Sequence, residues 1–126
     1  MVTTDVAQLS AECNGWRDSL RSFRDEFGQL RNRLQKVAGH QRQREVLQEV
    51  EHLANQFHIQ PINIHDLKQV IKNHSRKIDS EMAIQKGQVA DETLAIHENL
   101  YDQYQTLNHT LQDLRQEFDS FIDRTS

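Results

Sequence analysis

Apolar residues fall at Val6, Leu9, Cys13, Trp16, Leu20, Phe23, Phe27, Leu30, Leu34 and Val37, in steps that alternate strictly between three and four. That spacing is a heptad seam: one narrow apolar stripe on a helix whose other faces are polar. Such a helix is not stable alone in water and must lie against partner helices. A second long seam runs through His97, Leu100, Tyr104, Leu107, Leu111, Leu114, Phe118 and Phe121. Two shorter patterns lie between them. One holds Val46, Leu47, Val50, Leu53, Ala54 and Phe57; the other holds Ile64, Leu67, Ile71, His74 and Ile78, flanked by Val70 and Met82.

The residues between these patterns suggest where the helices stop. Thr3 or Thr4 can cap the first helix, with Asp5 in its first turn. Gly15 and Gly28 lie inside it, each costing roughly 1 kcal/mol against alanine. Gly39 is placed to end it in a left-handed conformation. Pro61 argues for a loop over His58–Asn63, because proline disrupts a helix interior and pushes the residue before it toward extended geometry. Asn63 then reads as a cap, with Ile62 and Leu67 at the spacing of a hydrophobic staple. Gly87 is the next expected stop and Asp91 the next cap. The expected helices therefore cover about 4–38, 41–57, 64–86 and 91–122.

These elements predict an all-α antiparallel helical bundle with coiled-coil-like heptad packing, within a single domain over residues 1–126. At ~1.5 Å per residue the outer helices span about 50 Å, and the inner two about 26 and 35 Å. A four-helix bundle is favoured, since a short loop with a fresh cap usually reverses the chain. The alternative is a three-helix bundle whose middle helix is broken at Pro61. In the four-helix arrangement the inner helices cover only part of the long pair. Leu9, Cys13, Trp16, Leu114, Phe118 and Phe121 would then remain open as a self-association surface, which makes a homodimer the expected partner.

Composition supports helices and little else. The 126 residues include one Pro and four Gly, and the 36% apolar content suits narrow stripes. The net charge of -4 is unevenly spread. Residues 1–27 hold three basic and five acidic side chains, residues 28–90 ten and six, and residues 91–126 two and eight. Cys13 is the only cysteine, so no intramolecular disulfide can form and a cytoplasmic setting is expected. No apolar run approaches a membrane span, and no signal peptide is expected at the N-terminus.

The candidate chemistry is sparse. Glu49 and His52 have the Glu-x-x-His spacing of di-iron bundles, but a second such pair is missing. His97 and Asp102 have the spacing of one element of hemerythrin-like bundles, without its companions. No metal, cofactor or catalytic residue is expected, and no phosphate loop or nucleophile elbow is present. His40, His52, His58, His65 and His109 read as surface or loop residues. His74 and His97 fall on seams, where a buried polar pair would fix helix register.

His65-Asp66-Leu67-Lys68-Gln69 resembles the His-x-Leu-Lys-Gly element of histidine phosphotransfer domains, with Gln69 in the place of glycine. The resemblance implies a phospho-accepting His65 assisted by Lys68. Arg31, Arg33, Lys36, Arg42 and Arg44 form a basic hairpin tip that could contact phosphates. The primary expectation is a non-enzymatic bundle mediating protein–protein interaction or self-association. A phosphotransfer module using His65 comes second, and nucleic-acid binding at Arg31–Arg44 is a weaker third.

Overall fold

The structure is a computed structural model that describes residues 6–84 and 88–125. Three helices account for nearly all of it: α1 (Val6–Ala38), α2 (Arg44–Ile84) and α3 (Asp91–Thr125). No strand occurs among the described residues. Cys13, His74 and His97 meet near one end, whereas Phe27, Phe57 and Phe118 are in contact further along. Helices α1 and α3 therefore run one way and α2 runs back between them.

The expected reversal at Pro61 does not occur. The four-helix arrangement is replaced by three helices, and α2 continues through Pro61 for 41 residues, about 60 Å at ~1.5 Å per residue. The reason lies in the spacing of buried residues across the proline. Leu53, Phe57, Gln60, Ile64, Leu67, Ile71, His74 and Ile78 are all buried, in unbroken steps of four and three. A proline inside a helix costs about 3 kcal/mol. Burying each large apolar side chain returns roughly 1.5–3 kcal/mol, and a chain reversal would take the second half of this seam away from its present partners.

Gln60 is the polar member of the α2 seam. Its Nε2 donates to Gln56 Oε1 at 3.2 Å, and its Oε1 accepts from Asn63 Nδ2 at 3.1 Å. Asn63 therefore takes part in an amide chain across the proline instead of capping a new helix. Ile62, expected as half of a staple, is 52% exposed.

The through-running α2 also covers the surface expected to be left for a second copy. Leu9, Cys13, Trp16, Leu114, Phe118 and Phe121 are all buried within the chain. The centre of the core is aromatic. Phe57 packs edge-on against Phe27 at 5.6 Å and against Phe118 at 5.5 Å.

The helix ends differ in part from expectation. After Ala38, Gly39 is not in the left-handed region; His40 N–H and Gln41 N–H donate to Val37 O and Ala38 O, which tightens the last turn. Helix α3 is capped from α2. Glu81 accepts from Ala90 N–H at 2.7 Å and from the Thr93 hydroxyl at 2.6 Å. The Thr3, Thr4 and Asp5 caps and the Gly87 stop lie outside the described residues. No helix among the described residues is long and apolar enough to cross a membrane.

Candidate functional site

Two features stand out from ordinary helix packing. The first is a buried polar cluster to which all three helices contribute. The seam of α1 supplies Cys13, fully buried; that of α2 supplies His74, and that of α3 supplies His97. His74 Nε2 lies 2.9 Å from His97 Nδ1. One ring nitrogen of each histidine and the Cys13 Sγ lie within 4.8 Å of one another. Glu12, one residue before Cys13, places Oε2 3.5 Å from His97 Nε2. Trp16 covers His97, with ring centroids 4.8 Å apart.

The hydrogen-bond partners assign the tautomers. Glu12 is acceptor-only when ionised, so His97 Nε2 carries the proton that faces it. His97 Nδ1 is then a bare acceptor, and His74 Nε2–H donates to it. His74 Nδ1 is left as a lone pair, and it is buried without a hydrogen-bond partner among the described residues. Burial, followed by the neighbouring His97, lowers the His74 pKa from its ordinary value of 6.5 and favours the neutral ring. Burial and then Glu12 push the Cys13 thiol up to about 11.

The second feature is a cationic edge where α1 meets α2. Arg17, Arg21, Arg24 and Arg31 recur on α1 in steps of four, three and seven, and so lie on one face. His65, Lys68 and Lys72 do the same on α2. Lys68 joins the two rows: its pKa is lowered first by burial and then by Arg24, Arg21 and Arg17. Like charges therefore face each other across this helix pair. Exposed Asp18 and Asp25 offset them only locally, through Arg21 at 3.7 Å and Arg24 at 3.2 Å.

The outer side of α3 has the opposite sign. Glu98, Asp102, Asp113, Asp119 and Asp123 are exposed there, away from the seam. Both α3 arginines reach across to other helices, Arg115 to Glu26 and Arg124 to Glu49.

The remaining sequence candidates are scattered. His65 is exposed and Lys68 half-buried on the cationic edge. His40, His52, His58 and His109 are exposed, and His52 faces Glu117 at 3.1 Å. Glu49 pairs with Arg124 instead of joining His52, and exposed Asp102 is separate from the cluster around His97. A groove of about 670 Å³ runs between α2 and α3, past Gln60, Asn63 and Val70 on one side and Asp102, Thr106 and Thr110 on the other.

Sequence reasoning marked His74 and His97 as seam polars but took Cys13 as a small apolar residue. The available signal was that all three occupy seams of different helices, at matching distances from one end of the bundle. Compared with known proteins, the chain matches no family model, no curated protein and no solved structure.

Proposed function

We propose that this bundle is a non-enzymatic interaction module that self-associates through oppositely charged faces, built on coiled-coil-type pairing of its seams. One observation carries the reading: the α1–α2 edge around Lys68 is cationic, whereas the outer side of α3 is acidic. Repulsion among Arg17, Arg21, Arg24 and Lys68 is relieved when an acidic surface docks along them. The α3 back of a second copy has the matching chemistry. The two faces are different patches of one chain, so the contact is head-to-tail and need not stop at a dimer.

Salt and charge reversal test this directly. Light scattering at low ionic strength should show a mass that grows with concentration and returns to the monomer as salt screens the faces. Arg17→Glu/Arg21→Glu/Arg24→Glu should be monomeric alone, and so should Glu98→Lys/Asp102→Lys/Asp113→Lys. An equimolar mixture of the two should associate again, because each now carries a face that complements the other. A wild-type chain that stays monomeric at low salt, or a mixture that fails to recover association, overturns the proposal.

A further inference from the structure

We propose that Cys13, His74 and His97 bind one divalent transition-metal ion of zinc type, with Glu12 as the residue that positions His97. The set has the donors such an ion prefers, one thiolate and two imidazoles, and lacks the oxygen-rich shell that calcium or magnesium requires. Each ligand comes from a different helix, so one ion would tie α1, α2 and α3 together at this end of the bundle.

Two observations separate this cluster from an ordinary buried histidine pair. Glu12 faces the outer nitrogen of His97, the carboxylate–imidazole arrangement that orients metal-bound histidines. The spacing is also close to what an ion needs. Ligand atoms around a tetrahedral zinc stand about 3.3–3.6 Å apart, given bonds of about 2.3 Å to sulfur and 2.0–2.1 Å to nitrogen. The imidazole nitrogens must open by a few tenths of an ångström from 2.9 Å, and the sulfur must close by about one from the 4.8 Å limit. Side-chain rotation covers both.

The protons balance simply. Binding releases the Cys13 thiol proton to solvent, leaving a thiolate on the metal, and the His74 proton shifts from Nε2 to Nδ1 to free the nitrogen that faces His97. Both imidazoles stay neutral, each with one nitrogen on the ion and one N–H directed away, that of His97 toward Glu12. A water completes the fourth position.

Cobalt makes the site visible. The full chain, stripped with a chelator, is titrated with Co²⁺ and then with Zn²⁺. One equivalent of Co²⁺ should produce the intense visible bands of a tetrahedral site and a thiolate-to-cobalt charge-transfer band in the near ultraviolet, and Zn²⁺ should bleach both. Cys13→Ala should remove the charge-transfer band. Glu12→Gln should keep the spectrum but weaken affinity roughly 10- to 100-fold, as loss of a histidine-orienting carboxylate does. Absence of the charge-transfer band at saturating Co²⁺ overturns the proposal. So does equal Co²⁺ uptake by Cys13→Ala and His97→Ala, which would assign the metal to the exposed histidines. If a variant fails to fold, the wild-type spectrum decides alone, because Cys13 is the only thiol in the chain.

Discussion

Replacing Gly15 and Gly28 by alanine should raise the melting temperature by about 4 °C each and about 7–8 °C together. Both glycines are exposed in the interior of α1, and a Cβ built on either meets nothing within 4 Å. The substitutions therefore add no clash and bury nothing. What changes is backbone freedom in the unfolded chain, where glycine costs about 0.8–1.0 kcal/mol against alanine per helix-interior position. An unfolding entropy of roughly 2.1 cal/mol/K per residue gives about 0.26 kcal/mol/K for the 126-residue chain, so 1 kcal/mol corresponds to about 4 °C. The two sites are about 20 Å apart at ~1.5 Å per residue and share no partner, so their effects should add. Thermal melts followed by far-ultraviolet circular dichroism, at fixed concentration and salt, measure this. Gly39→Ala is the control. Its Cβ would sit 3.6 Å from Lys36 O, an ordinary contact, but outside the helix, where the propensity gain does not apply. A fall in stability for either helix glycine refutes the reasoning.

Two further predictions concern α2. Pro61→Ala should stabilise the bundle by about 1–2 kcal/mol: about 3 kcal/mol of helix penalty is removed, less the conformational freedom returned to the unfolded chain and any packing adapted to the proline. An unchanged or lower denaturation midpoint would show that the surrounding packing requires the proline. Glu81 governs an acid-sensitive contribution. The Ala90 N–H, then the Thr93 hydroxyl, hold its carboxyl below the ordinary value of 4.5. A lowered folded-state pKa means the contribution is fully present above about 4.5 and is lost as the pH falls through the lower, folded value. Glu81→Gln should melt lower than wild type at neutral pH and lose less on acidification from pH 5 to 3; parallel pH profiles would contradict this.

The seams of α1 and α3 were legible because uninterrupted 3-4 spacing has no simpler explanation than a helix with one buried stripe. The same signal was present in α2 but was overridden. Pro61 and Asn63 carry strong local turn and cap preferences, and Gln60 did not read as a core residue. Yet Phe57, Gln60 and Ile64 keep the phase of the seam through the proline, and tertiary burial outweighed the local preference. The seam position after Ile78 falls on Glu81, whose side chain turns instead to cap α3. The Cys13–His74–His97 cluster was hidden for another reason. Ligand-spacing rules look for residues close together on one element, whereas this set is assembled from three helices by their register alone. The charge imbalance marked a basic middle and an acidic end, but Arg17, Arg21 and Arg24 lie in a segment with an acidic excess, so the cationic edge emerged only from α2 lying antiparallel to α1.

The groove beside α3 bears on how the buried cluster is reached. Leu107 of α3 is only half-buried beside the groove, so the third helix is less closely held there. At the cluster end its first turn is fastened by the Glu81 carboxylate, four residues from His97 at Thr93. Local opening follows the weakest packing and the most accessible hydrogen bonds. Loss of that fastening should expose His97, Trp16 and Cys13 sooner than it separates α1 from α2. The start of α3 is therefore where amide exchange at this end of the bundle should be fastest, and Glu81→Gln should speed it further.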